Sequence, residues 1–183
     1  MILTEKNINR YKINNVIGEP TKIEFRNLKA IGNGSYFLKS FISKTDNSDK
    51  LKIDSKCNFE KYSNGILLRL NFSNKLSVIP IPKNEIYKIE LIRGEERINP
   101  FPFSPMWILL KLGVSKLIAR YFKIYVSEYS IENMRLMIDT ENYKMEFIAN
   151  GFLYEKQLEY FENLNYGKIL KNKKPVANNV HKK

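Results

Sequence analysis

The two side chains best suited to nucleophilic catalysis are one cysteine and one histidine, Cys57 and His181. A thiol nucleophile needs a base held within hydrogen-bond reach. His181 is the third residue from the end of the chain and follows a lysine-rich segment, so nothing in the sequence would hold it in position. We therefore predict that Cys57 is a strand residue, either buried or half-buried. A single cysteine also excludes an internal disulfide and favours a reducing compartment.

The acidic residues offer two further candidate pairs, Glu95 with Glu96 and Asp139 with Glu141. Both pairs fall in predicted turns, where solvated carboxylates are common, and perturbed groups rather than sequence neighbours mark active sites. The sequence has no cluster of Cys and His spaced for zinc. Its one short glycine-containing motif, over 32–35, fits a hairpin turn better than a phosphate-binding loop. We predict no catalytic residue, no metal and no cofactor.

The segment 101–121 combines aromatic, aliphatic and basic residues. Ser104 followed by Pro105 is a helix-start signal, and apolar residues recur at helical spacing as far as Tyr121. One interpretation is a helix lying in a membrane interface or on a protein partner, with six contact residues: Phe101, Phe103, Trp107, Lys111, Lys116 and Arg120. The other is a core helix that packs its Trp107 face onto the sheet. A membrane-spanning helix is disfavoured, because each buried cation costs about 2.5–3.5 kcal/mol.

The C-terminal segment 166–183 is strongly basic. It contains six lysines and no acid, and it contributes half of the net charge of +12: Lys168, Lys171, Lys173, Lys174, Lys182 and Lys183. The sequence predicts a disordered tail that binds polyanions such as nucleic acid by charge. Only Tyr166 is available to stack on bases, which does not favour sequence-specific recognition. A low-GC genome would also enrich lysine without any functional cause.

Most of the remaining chain shows the period-two alternation of β-strands. Residues 1–20 form a polar lead-in with one weak predicted strand over 11–17, and 21–165 form a single β-rich domain. We predict a mainly β fold, an antiparallel meander that forms a curled sheet or partly closed barrel. It has an internal helix near 105–120 and a capping helix near 152–164. Further strands are predicted over 21–26, 36–42, 51–54, 57–62, 66–72, 76–79, 87–91, 122–126, 134–138 and 143–147.

The order of these elements resembles the pleckstrin-homology-like fold, including its bacterial and GRAM-type members. The strands over 66–91 and 122–147, followed by the helix over 152–164, carry the resemblance, and the inserted 105–120 helix departs from it. The resemblance implies a non-catalytic domain that binds lipid headgroups or peptides. No motif matches, so no functional residue is carried over, and fold analogy alone does not establish function.

Together these features predict a non-catalytic binding or adaptor domain that docks on a protein partner or an anionic membrane surface through 101–121. The N-terminus lacks the pattern of a secretory signal, which predicts a cytoplasmic protein, peripheral on the membrane in the second case. Two alternatives remain open at this point. The chain could be a nucleic-acid- or ribosome-associated accessory protein that uses its tail, or a structural subunit of a larger assembly, including a homo-oligomer.

Overall fold

A nine-stranded open sheet dominates the computed structural model, which describes residues 2–22, 32–44, 51–73, 75–166 and 170–173. The strand order is β1-β5-β4-β3-β2-β10-β9-β6-β11, and neighbouring strands are antiparallel except for the β6–β11 pair. The large sheet is made of β1 Leu3–Thr4, β2 Gly32–Ser43, β3 Lys56–Tyr62, β4 Gly65–Phe72, β5 Lys75–Pro82, β6 Ile86–Ile92, β9 Met134–Thr140, β10 Tyr143–Ala149 and β11 Leu170–Lys173. The prediction of a mainly β fold with a curled sheet is confirmed.

The inner face of this sheet carries the main core. The strictly alternating burial of β9 and β10 places Leu136 and Phe147 on that face, where Phe147 meets Phe59 edge to face at 5.2 Å between ring centroids. Helix α4, Tyr154–Glu162, covers the same face and brings Phe161 to 5.8 Å from the Phe59 ring. The capping helix predicted near 152–164 is therefore present, preceded by a 3₁₀ turn, Gly151–Leu153.

The N-terminal segment differs from its prediction. Residues 11–17 were expected to form a weak strand, but they belong to helix α1, Arg10–Ile17, in which the Asn9 side chain accepts a hydrogen bond from the Tyr11 amide. Ile13 and Ile17, one helical turn apart, pack with Leu67 on the outer face of the sheet. Strand β4 is therefore covered on both faces. The spacing of the two isoleucines is that of one helix face, and it indicates the conformation of α1 better than the weak strand-like alternation does.

Several predicted turns and strands also differ from the structure. The expected hairpin turn at 32–35 lies inside β2, where the register against β3 shifts between Asn33 and Tyr36. A Cβ at Gly34 would lie 2.7 Å from the Asn58 side-chain oxygen, so a larger residue there would require that exposed side chain to move. Residues 51–54 form a turn rather than a strand, and the strand predicted over 21–26 falls largely outside the described residues.

The segment between β6 and β9 shows the largest difference. The single helix expected near 105–120 is two short helices, α2 Pro105–Lys111 and α3 Lys116–Ala119. The strand expected over 122–126 is absent, and two 3₁₀ turns, Arg120–Phe122 and Val126–Glu128, occur in this region instead. These elements lie outside the large sheet, and the same segment contains a separate two-stranded sheet.

Candidate functional site

Residues 96–131, here called the insert, form a small folded unit between β6 and β9. Its base is the two-stranded sheet of β7, Glu96–Ile98, and β8, Tyr129–Ile131. Above this base, α2 and α3 enclose a separate core made of Met106, Ala119 and Tyr129, with Leu109, Leu110 and Ile131 packed against it. The insert therefore has internal packing that can hold its outer side chains in place.

Local sequence signals explain why the helical part of the insert is broken. The Ser104 hydroxyl accepts the Trp107 amide at 3.1 Å and starts α2, with Pro105 in the first turn. The helix ends at Lys111, and Gly113, two residues later, has φ of 81°, a left-handed conformation that glycine adopts without strain. The Val114 amide then bonds back to the Leu109 carbonyl at 2.9 Å, which closes the helix end.

A buried carboxylate ties together the two ends of the exposed part of the insert. Glu128 is 1% exposed. One of its oxygens accepts the Phe101 amide at 3.0 Å, and the other accepts the amides of Ile124 at 2.6 Å and Tyr125 at 3.0 Å. A hydrogen bond from Ser104 and the bonds from these amides lower the pKa of Glu128 to about 2.

Sequence analysis missed Glu128, although a signal was present. No acidic residue occurs from 97 to 127, so Glu128 ends a long apolar and basic stretch. A lone carboxylate in such surroundings is typical of a group satisfied by backbone amides.

Two of the four carboxylates considered as pairs are held by other side chains. The Glu96 carboxylate accepts hydrogen bonds from the Lys116 ammonium and the Tyr129 hydroxyl. Burial by itself would raise the pKa of Glu96, but these hydrogen bonds outweigh it and the pKa lies below its usual value. In the other pair, Asp139 binds the Lys44 ammonium at 2.6 Å, while Glu141 is exposed.

Many apolar side chains of the insert are exposed to solvent. Phe103 is 80% exposed, Tyr121 75% and Leu112 74%. Seven more large apolar side chains of the insert are at least half exposed: Phe101, Leu117, Ile118, Phe122, Ile124, Tyr125 and Val126. Phe152, in the 3₁₀ turn that precedes α4, is half exposed, and the Lys123 ammonium lies 5.8 Å from its ring. Ten such side chains within one short unit exceed the scattered single exposures that are ordinary on a protein surface.

Cations are interspersed with these apolar residues. Residues 97–127 contain five cations and no acid: Arg97, Lys111, Lys116, Arg120 and Lys123. Arg97 pairs with Glu132, and Lys116 pairs with Glu96. Within the described part of the chain, no carboxylate forms an ion pair with the other three cations. Arg120 instead donates hydrogen bonds to the Tyr121 and Tyr129 hydroxyls, and Lys123 donates one to the Tyr129 carbonyl.

Trp107 does not lie on the buried face of its helix, contrary to the core interpretation. Met106 is the fully buried residue of α2, whereas Trp107 is half-buried. The Phe103 ring lies 5.4 Å from the Trp107 ring, and the Lys111 ammonium lies 5.6 Å from it. The predicted stripe from Trp107 to Tyr121 is thus only partly covered, and three of the predicted contact residues meet at one place on the surface.

The remaining predicted site residues lie elsewhere. Cys57 is buried in β3 as predicted, and burial raises the pKa of its thiol to about 12. Lys171 and Lys173 belong to β11 rather than to a disordered tail, while Lys168, Lys174, Lys182 and Lys183 lie outside the described residues. Among the residues that the structure describes, no group of three His, Cys, Asp or Glu side chains is placed to hold a metal ion.

None of the described helices has both the length and the apolar character needed to pass through a bilayer. Comparison of the chain with protein-family models, with curated proteins and with solved structures gives no match.

Proposed function

We propose that the protein is a non-catalytic docking domain that binds an anionic membrane surface through the insert. One observation carries this proposal. The insert exposes large apolar side chains together with cations, and it contains no acid between residues 97 and 127. Apolar side chains that enter the acyl boundary and cations that stay among the headgroups are the two components of interfacial binding.

The magnitudes support reversible binding. Full burial of a Phe or Leu side chain contributes about 1.5–3 kcal/mol. Phe103, Leu112 and Tyr121, each largely exposed, would lose most of their water contact in an interface. Each cation near an anionic surface adds about 1 kcal/mol. Three inserted side chains and three cations together contribute about 7.5–12 kcal/mol before the cost of immobilising the protein is subtracted, which favours weak and reversible binding.

The charge pattern favours a membrane over a protein partner. Protein interfaces are depleted of charge at their centre, and lysine is disfavoured there. In the insert, by contrast, Lys111 lies against the central Trp107 ring. A second copy docked face to face would also bring the two sets of cations together. These arguments disfavour a homo-oligomer or a structural subunit joined through the insert.

A non-catalytic role is part of the proposal. Its support is that the carboxylates grouped by sequence do not converge on a cleft. Glu96 is engaged by Lys116 and Tyr129, and Asp139 is engaged by Lys44. A thiol with a pKa of about 12 is also a poor nucleophile at neutral pH.

Vesicle co-sedimentation tests the proposal. The full chain is mixed with vesicles of phosphatidylcholine alone or of phosphatidylcholine with phosphatidylglycerol. We expect binding to the anionic vesicles and a loss of at least tenfold in affinity when Phe103→Ser and Leu112→Ser are combined, since each loses roughly 1–2 kcal/mol of apolar burial.

The matched control combines Tyr11→Ser and Tyr87→Ser, two exposed aromatic positions outside the insert, and should bind as the wild type does. Equal affinities for the wild type and the insert variant would refute the proposal. A change in oligomeric mass without a change in vesicle binding would instead identify a second copy as the partner.

A further inference from the structure

Phe152 is a half-exposed aromatic residue of the main body, here meaning the large sheet and α4, and it lies beside the insert. Its ring lies 5.9 Å from the Tyr129 ring between centroids. The Lys123 ammonium lies 5.8 Å from the Phe152 ring and 5.9 Å from the Tyr129 ring. These three side chains therefore form one cluster across the boundary between the main body and the insert.

Backbone contacts hold Phe152 in this place. The Asn150 side chain accepts the Phe152 amide at 2.9 Å and starts the 3₁₀ turn. Gly151 packs directly on the end of β8, since a Cβ there would overlap the Glu132 carbonyl oxygen and would lie 2.6 Å from the Ile131 side chain. Glycine is the residue that permits such a close approach of two backbones. The turn that carries Phe152 is thus fixed against the insert.

Lys123 connects this cluster to the proposed membrane-binding cations. No carboxylate of the described residues forms an ion pair with Lys123, and its ammonium donates a hydrogen bond to the Tyr129 carbonyl at 3.1 Å. That bond occupies one of the three donors of the ammonium, so its charge can still be shared with lipid phosphates. A bilayer whose headgroups contact the Lys123 ammonium must also lie close to the Phe152 ring, which is 5.8 Å from that ammonium.

We propose that Phe152 is a membrane contact, so that the docking surface extends from the insert onto the main body. This rests on the proposed function, because it takes an anionic bilayer as the partner of the insert. The residue types fit this partner: an aromatic ring enters the acyl boundary, while the adjacent ammonium stays among the headgroups. Contacts from both parts of the chain would hold the large sheet in a fixed orientation on the bilayer.

Quenching of tryptophan fluorescence by brominated lipid tests the contact directly. In the full chain, Trp107→Phe removes the only tryptophan, and Phe152→Trp is added as the reporter. The vesicles contain phosphatidylcholine and phosphatidylglycerol with brominated acyl chains, which quench an indole that enters the acyl region. We expect the emission of the reporter to shift to shorter wavelength and to be quenched when the vesicles are added.

The matched control places the reporter at Tyr87, in the same Trp107→Phe background. Tyr87 is an exposed aromatic residue near the start of β6. It lies five residues, or about 16 Å, before Ile92, after which the chain leads to the insert. The vesicles should leave the Tyr87→Trp reporter unquenched.

Vesicle affinity gives a second, independent readout. Phe152→Ser in the otherwise native chain should weaken binding to anionic vesicles about fivefold, because half of the ring is already covered in the free protein and only the rest can enter the bilayer. Tyr87→Ser is the control and should bind as the wild type does.

The outcomes separate this proposal from the proposed function. If Trp107 of the wild type is quenched but the Phe152→Trp reporter is not, the docking surface ends at the insert; the inference is then refuted and the proposed function stands. Equal quenching of the Phe152→Trp and Tyr87→Trp reporters would show unspecific adsorption and would also overturn the inference. If the wild type does not bind anionic vesicles at all, both proposals are refuted.

Discussion

Replacement of Phe103 by glycine should separate the stability of the fold from docking. Phe103 has φ of 64°, a left-handed conformation that costs a residue with a side chain about 1–2 kcal/mol and that glycine adopts freely. The ring is 80% exposed and contacts Trp107 at 5.4 Å between centroids. A strained backbone that presents an exposed aromatic ring is typical of a functional position.

The effects on folding nearly cancel. Phe103→Gly removes the backbone strain, but it loses a ring contact worth about 0.5–1.5 kcal/mol and makes the unfolded chain more flexible by about 0.5–1 kcal/mol. We therefore expect the free energy of unfolding to change by less than about 1 kcal/mol. In docking, most of the phenylalanine burial is lost, about 2 kcal/mol, which corresponds to roughly 30-fold weaker binding to anionic vesicles.

Two measurements check this prediction. Urea unfolding gives the stability, and vesicle titration followed by the fluorescence of Trp107, the only tryptophan, gives the affinity. Asn165→Gly is the matched control, because Asn165 also has a left-handed φ of 58° and lies outside the insert. It should leave vesicle affinity unchanged. If Phe103→Gly binds vesicles as tightly as the wild type, the exposed ring has no part in docking and the reasoning is refuted.

Three further predictions concern the insert and the core. The folded pKa of Glu128 is lowered from 4.5 to about 2, so its stabilising contribution is complete above pH 4.5 and is lost as the pH falls toward 2. The insert should therefore loosen in acid, which the fluorescence of Trp107 measures, and Glu128→Gln should loosen it already at neutral pH. An identical acid transition in the wild type and in Glu128→Gln would contradict this prediction. Lys111→Gln should weaken vesicle binding about fivefold, whereas Lys116→Gln should mainly lower the melting temperature, because Glu96 holds the Lys116 ammonium. Vesicle titration and thermal melts compare the two variants, and equal losses of vesicle affinity would contradict the different roles of the two lysines. Cys57, with a pKa of about 12, should not react with a thiol reagent at pH 8 until the protein is denatured; rapid reaction of the native protein would show that the thiol is accessible.

Much of the sheet could be predicted from local patterns. Every second residue of β9 and β10 is buried along their whole length, and the tight turn between β3 and β4 is formed by Ser63 and Asn64, with Gly65 as the first residue of β4. Period-two patterning of this kind needs only one buried face. Pro80 and Pro82 lie in β5 beyond the two residues that pair with β1. Their missing amides therefore leave no ladder bond unmade.

The strand predicted over 122–126 failed because of competition for backbone donors. Residues 122–126 alternate like a strand, yet the Ile124 and Tyr125 amides are bound by the Glu128 carboxylate. Donors engaged by a side chain cannot join a strand ladder. The spacing of Glu128 from these residues is visible in the sequence, but its bond from the Phe101 amide, 27 residues away, exists only in the folded chain.

The sequence by itself determined the mainly β class, the burial of Cys57 and the concentration of aromatic and basic residues in one segment, because composition and periodicity are local properties. Only the tertiary structure decided which side of that segment is covered. The insert builds its own small core and leaves Phe103, Leu112 and Tyr121 in water. Exposure depends on which distant elements pack together, and β11 shows the same principle. Its parallel pairing with β6 links residues about eighty positions apart, a partnership that no local pattern in the sequence indicates.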